Sequence, residues 1–238
     1  MRLLVFQHLA CEHPGILRKF LREDAIAIDT VALDEGQEIP RLENYDALWV
    51  MGGPMDVWDV EDCPWLIAEK RAIRRWVREL NKPFLGICLG HQLLCDALGG
   101  TCGPQRPPEV GILDVTLTPA GRADPLLQGV DANAKCLQWH SVRVAEPPEG
   151  ATVLARSELC PVQGLKVGER AWGFQYHVEL EADTIPSWGC VPAYLAALEA
   201  SQGQGALERF IASAKPHMAD FERNARALYR NFMTLARA

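Results

Sequence analysis

What this 238-residue chain lacks bounds it first. No stretch approaches the roughly 18 uninterrupted apolar residues that a membrane helix needs. The apolar start at 3–6 is broken at once by Gln7 and His8, so it reads as a first strand rather than a secretory leader. Basic residues never form a block of about five or more, and 24 Lys+Arg against 31 Asp+Glu leave a formal charge of −7. The electrostatic footprint of a duplex nucleic-acid binder or an anionic-membrane binder is therefore missing. Neither Gly-x-Gly-x-x-Gly nor Gly-x-x-x-x-Gly-Lys-Ser/Thr occurs, so the chain shows no means of its own to bind and activate ATP. Its eight cysteines (11, 63, 88, 95, 102, 136, 160 and 190) are scattered and never spaced Cys-x-x-Cys. That argues against a structural zinc site and a disulfide framework, and for a reducing cytoplasmic compartment. No metal and no cofactor is expected. With no internal repeat, low-complexity tract or Ser/Pro linker, residues 1–238 read as one domain, with 181–238 as a C-terminal helical segment packed on it.

What is present is 48% apolar, enough for a sizeable buried core. Short apolar runs at 3–6, 25–33, 47–51 and 83–87 alternate with helical patterns, the βαβ rhythm of a parallel sheet covered on both faces. Between the third and fourth runs Leu66, Ile73, Val77 and Leu80 recur at helical spacing behind the start signals Asp62 and Pro64, while Arg71, Arg74, Arg75 and Arg78 decorate a solvated face. After Gly99-Gly100 strand-like stretches at 111–117, 136–145, 152–155 and 171–177 predict a mixed or antiparallel extension. From Asp183 the composition turns helical, with a break at 201–205. In the last helical stretch Met218, Phe221, Ala225, Leu228, Phe232 and Leu235 form an apolar stripe suited to lying on a sheet face. The expected class is α/β: a flavodoxin-like, mostly parallel sheet with helices on both faces, the mixed extension and C-terminal helices.

The segment 84–92 carries the most chemistry. An apolar strand runs into Gly86-Ile87-Cys88-Leu89-Gly90 and then a helical pattern, the grammar of a nucleophile elbow. Small residues two before and two after Cys88 let the chain turn sharply, so that the thiol stands clear at the sheet's carboxyl edge. A helix N-terminus beneath it favours thiolate, and the free amides just after it point at charge developing on an attacked carbonyl. At this composition Gly-x-Cys-x-Gly is expected by chance about 0.05 times.

A thiol nucleophile needs a base and a group to orient it. His177 is the best candidate: it ends the run 172–176, and Glu179 lies two residues on, close enough to hold its tautomer. His-x-acid spacing alone is weak, with about 0.8 chance occurrences expected. The rival base is His140, near another strand end but with no acid within three residues; it suits a pocket wall. His91 sits three after Cys88 and points poorly at it. His8, His13, His217 and the cluster Cys11-Glu12-His13 read as loop residues. After the third strand, Gly52-Gly53 lets backbone amides approach a ligand closely, as a second oxyanion donor requires.

Gly-Gly-Pro after the third strand, Gly-Ile-Cys-Leu-Gly-His-Gln at 86–92 and His-x-Glu at 177–179 together resemble a class I (triad) glutamine amidotransferase. Within that family the chain is most similar to stand-alone proteins like the amidotransferase domain of GMP synthase. The resemblance implies that Cys88 attacks the carboxamide of glutamine, His177 moves the proton and Glu179 orients His177, through a γ-glutamyl thioester that water releases as glutamate. It also implies oxyanion contacts from the amides of Gly53 (beside Gly52) and Leu89, with Gln92, His140 and Ser141 at the amino-acid end of the substrate. Synthetase-linked members carry proline where Val178 stands, and nothing here binds XMP or ATP, so making GMP would require a synthetase partner chain. Two other readings stay open: a γ-glutamyl peptidase or hydrolase with the same triad, and a non-catalytic flavodoxin-like binding protein with a reactive thiol. A cysteine α/β-hydrolase fits less well, because its acid normally precedes its histidine.

Overall fold

Residues of the short central strands are buried whichever way they point, as expected of strands covered on both faces. In the computed structural model, which describes residues 1–238, the chain runs β1 (Arg2–Gln7), α1 (Leu17–Glu23), β2 (Ala27–Ala32), β3 (Ala47–Val50), α2 (Trp65–Arg75), β4 (Phe84–Ile87) and α3 (Leu89–Ala97). It continues through β5 (Thr101–Leu117), α4 (Pro119–Ala123), β6 (Asn133–Glu146), β7 (Ala151–Arg156), β8 (Gly164–Val167) and β9 (Ala171–Phe174). Four helices close it: α5 (Thr184–Gly189), α6 (Pro192–Gln202), α7 (Ala206–Ala214) and α8 (Met218–Arg237). The nine strands make one sheet in the order β2-β1-β3-β4-β9-β8-β7-β5-β6. The first five pair in parallel and the rest antiparallel, which is the parallel sheet with an antiparallel extension read from the sequence.

Alternation divides the core. Leu3, Val5, Trp49, Leu85 and Ile87 pack on one face with α1 and α8, while Leu4, Phe6, Leu48, Val50 and Phe84 pack on the other with α2 and α3. The C-terminal stripe does lie on the sheet: Phe232 meets Trp49 edge-on with ring centroids 5.7 Å apart, and Tyr229 packs on Phe20 at 5.4 Å. A third apolar group of Leu137, Trp139, Ile185, Trp188, Leu198 and Phe210 ties α5–α7 over β6. The helical break falls where expected, between Gln202 and Ala206. One strand is shorter than its sequence suggests. β9 ends at Phe174, so Gln175, Tyr176 and His177 lie in the connection beyond it, where the His177 amide donates to the Leu137 carbonyl at 3.0 Å.

Candidate active site

The carboxyl ends of β1, β3, β4 and β9 all open on the same edge of the parallel sheet, the place where open α/β sheets bind ligands. Cys88 follows β4 directly, with φ 52° and ψ −105°, in a left-handed region that costs a non-glycine residue about 1–3 kcal/mol. The flanking glycines are required by contact: a Cβ on Gly86 would lie 2.4 Å from the Gly90 carbonyl oxygen, and one on Gly90 only 2.0 Å from that of Val50. The elbow read from the sequence is thus present in its geometry. Cys88 is 7% exposed, and the Gln175 carboxamide donates to its sulfur at 3.7 Å. Leu89 is the first residue of α3, so its amide has no acceptor one turn back. Gly53 abuts it, a Cβ there falling 3.0 Å from the Leu89 side chain.

His177 and Glu179 come together at 2.7 Å, Nδ1 to Oε1, both buried. The Glu179 carbonyl is itself tied down by the Ile16 amide at 2.9 Å, just ahead of α1. Burial opposes a proton on His177, but the Glu179 carboxylate and the Cys88 sulfur beside it hold its pKa well above the ordinary histidine value. Nδ1 is committed to Glu179, which leaves Nε2 for the sulfur. His140 is arranged differently. Its Nδ1 faces the Val142 carbonyl at 2.9 Å and its Nε2 lies 3.1 Å from Glu109, an ion-pair contact across the β5–β6 ladder. Both ring nitrogens therefore lie against oxygens, Nε2 at ion-pair distance without an aligned hydrogen bond. The acid that His140 lacks in its own sequence neighbourhood stands opposite it on the next strand.

Gly53, Cys88, Gln92, His140 and Ser141 line one cavity of about 540 Å³. Gln92 spends its carboxamide nitrogen on the Val142 carbonyl and the Gln175 oxygen, each at 3.1 Å. Gly52 is buried behind Gly53. The far wall comes from Pro107, Pro108 and Val110 of β5 and from Ala193, Tyr194 and Ala197 of α6. His91 is fully buried on α3, away from the cavity lining, and burial pushes its pKa down to about 3.

Two residues read as loop, Glu12 and His8, and one that the sequence did not single out, Glu69, prove to be buried around the site. Glu12 is 2% exposed, and its Oε1 accepts from the Tyr194 hydroxyl at 2.5 Å. Burial pushes its carboxyl up, against the pull of His177. His8 pairs with Glu69 at 2.8 Å, both side chains fully buried. No local signal marks Glu12 or His8, and Glu69 follows the arginine-decorated pattern of α2; only their depth at the ends of β1 and beneath the Gly52 turn could have found them. Glu12, His177 and Glu179 each offer a ligand atom within 4.8 Å of the others, but His177 and Glu179 already satisfy one another, so a metal would have to displace that bond.

The chain is similar to known proteins. Residues 16–185 match the family described as glutamine amidotransferase class-I. The glutamine amidotransferase-like protein YfeJ of Salmonella typhimurium is 31% identical, over 78% of this chain and 78% of its own length. The glutamine-hydrolysing GMP synthase of Sulfolobus acidocaldarius has a subunit that is 31% identical, over 66% of this chain and 79% of that subunit. Among solved structures, a glutamine amidotransferase from Thermotoga maritima superposes with a TM-score of 0.86 at 26% identity, covering 98% of this chain and 97% of that one.

Proposed function

Because the chain belongs to the class I glutamine amidotransferase family, we propose that it hydrolyses the side-chain amide of glutamine with Cys88 as nucleophile, His177 as base and acid, and Glu179 as the residue that orients His177. The observation that carries this reading is the pairing of a strained, upstanding Cys88 with an imidazole whose other nitrogen is already held by a buried carboxylate. The Cys88 sulfur attacks the carboxamide carbon, and the amides of Gly53 and Leu89 hold the oxyanion. His177 passes its proton to the departing ammonia, leaving a γ-glutamyl thioester. Water, deprotonated by the same imidazole, then releases glutamate and restores the thiol. Gln175 donates to the sulfur at 3.7 Å and so helps hold it in place. Gln92, His140 and Ser141 meet the amino-acid end of the substrate.

A second reading is favoured by the cavity. At about 540 Å³, with a far wall that mixes apolar and polar side chains, it falls in the range of sites that hold ligands larger than one amino acid. Larger γ-glutamyl amides or peptides therefore fit the same chemistry, because only the leaving amine changes. A partner chain that consumes the ammonia is the other extension, supported by the archaeal relative, which is named as one subunit of a GMP synthase. The free state of all eight cysteines supports a reducing, cytoplasmic setting. The reading takes residues 1–238 as one unit, since 181–238 supplies part of the cavity wall.

The test is glutamate release from glutamine and from a panel of γ-glutamyl amides and dipeptides, with Cys88→Ala as control. Cys88-dependent release is expected, and turnover that survives Cys88→Ala would sink the reading. A preference for larger leaving groups selects the hydrolase version; activity confined to glutamine selects ammonia supply.

A further inference from the structure

The peptide between Gly52 and Gly53 is held from behind. His8, at the end of β1, directs Nδ1 to the Gly52 carbonyl oxygen at 2.9 Å and Nε2 to Glu69 of α2 at 2.8 Å. Both His8 and Glu69 are fully buried, and neither lines the cavity. A trans peptide sets its N–H opposite its C=O. Fixing the Gly52 oxygen on His8 therefore turns the Gly53 N–H away from His8, and Gly53 itself lines the cavity that it shares with Cys88. Glycines at 52 and 53 would otherwise leave this peptide among the freest in the chain.

We propose that His8, oriented by Glu69, is a positioning residue that locks the Gly52–Gly53 peptide with its amide aimed as an oxyanion donor. This rests on the glutamine-hydrolysing reading above, and it assigns the amide's orientation to a pair outside the Cys88–His177–Glu179 group. Both ring nitrogens of His8 face oxygen acceptors, which only the imidazolium satisfies with two N–H donors. The Glu69 carboxylate supplies the charge that keeps that form in a fully buried place. Against the cost of burial, Glu69 and the Gly52 carbonyl raise the His8 pKa, with Glu12 adding to them. A well-aimed donor in place before the reaction is what makes an oxyanion site effective.

The test replaces the pair without stranding a buried charge. His8→Leu/Glu69→Leu removes the lock, whereas His8→Asn/Glu69→Leu keeps a side-chain amide donor near the Nδ1 position. In Leu/Leu, kcat on γ-glutamyl-p-nitroanilide should fall about 10²-fold, the loss typical of one oxyanion donor, with KM within about twofold. Alkylation of Cys88 by iodoacetamide, which builds no oxyanion, should keep its wild-type rate. The Asn/Leu variant should recover at least about tenfold in kcat. Wild-type turnover in Leu/Leu, a parallel loss of alkylation, or no recovery in Asn/Leu would each overturn the proposal. NMR relaxation dispersion at the Gly53 amide gives a readout that needs no turnover: flat in wild type and Asn/Leu, with exchange in Leu/Leu. Exchange already present in wild type, or none in Leu/Leu, would also overturn it. Absence of Cys88-dependent turnover in wild type would instead defeat the functional reading, leaving the lock to be decided by the Gly53 amide alone.

Discussion

The site has two walls built under different constraints; of the first, Cys88 lines the cavity, whereas His177, Glu179 and Gln175 do not. Along the ends of β3, β4 and β9, Cys88 is strained, Gly86 and Gly90 leave no room for a Cβ, and His177, Glu179 and Gln175 are tied to specific partners. The opposite wall, from β5 and α6, presents prolines, alanines and a valine together with the polar Tyr194, Ser201 and Gln202. The first wall fixes a reaction, because displacing any of its atoms misplaces the nucleophile or its base. The second can vary in size without touching the chemistry, so it is where the leaving amine would be selected. Each side has one buried His–Glu pair near it, His177–Glu179 by the first wall and His140–Glu109 across β5 and β6, and the pairs make the contrast testable: His177 keeps Nε2 for the sulfur, whereas both nitrogens of His140 lie against oxygens.

Exchanging the acids should separate the walls most sharply. Glu179→Gln removes the charge that favours the His177 imidazolium, and kcat should fall by about 10²–10⁴-fold with the fold intact, as for the orienting acid of comparable triads. Glu109→Gln, the same change on the other wall, should leave kcat within about tenfold and act mainly on KM and stability, since breaking a buried pair costs about 3–5 kcal/mol at most. Equal losses of kcat at both positions, measured by steady-state glutamate release, would mean that His140 takes part in proton transfer. Next in size is the hinge between the walls. The Trp188 ring lies 4.5 Å from that of His177 and 5.9 Å from Trp139, and it is buried among the residues of α5–α7. Trp188→Ala should cost about 3–5 kcal/mol in denaturant unfolding, and KM for larger γ-glutamyl amides should rise more than KM for glutamine. A uniform rise would place the wall's role in stability alone.

The first wall was legible in the sequence because its signals are local. Gly86, Cys88 and Gly90 lie within one turn, and Glu179 follows His177 by two residues, so spacing reports contact. The βαβ rhythm marked β1, β3 and β4 for the same reason, since these strands are buried along most of their length and read as apolar runs, whereas β2 is an exposed edge strand and the parallel β9 reads in sequence as part of the extension. The second wall and the support behind Gly52 depend on partners distant in sequence. Glu109 reaches His140 only through strand pairing, Tyr194 reaches Glu12 from a C-terminal helix, and Glu69 reaches His8 across the sheet edge. Each of these acids sits in a segment whose local pattern is that of an ordinary strand, loop or solvated helix. A lone buried carboxylate leaves no mark on periodicity, and its presence follows only from the need of a buried polar group for a partner.

The smallest effect concerns the charge kept by two buried histidines near the nucleophile. His177 is held toward its protonated form by Glu179 and Cys88, while His91, one helical turn beyond the nucleophile, is held neutral by burial with a pKa of about 3. A histidine that cannot charge when folded but charges at its ordinary pKa of about 6.5 when unfolded makes the unfolded chain bind more protons between those values. Stability must then fall as pH falls through that window. At pH 5 the loss is about 1.5 units below the unfolded pKa, or about 2 kcal/mol relative to neutral pH. Denaturant titrations of wild type and His91→Gln at pH 8 and pH 5 would isolate it, because every other group titrates in both. The stability of wild type relative to the variant should drop by about 2 kcal/mol on going to pH 5. Parallel pH profiles would show that His91 takes up a proton in the folded state, and the helix under Cys88 would then carry a positive charge next to the nucleophile in acid.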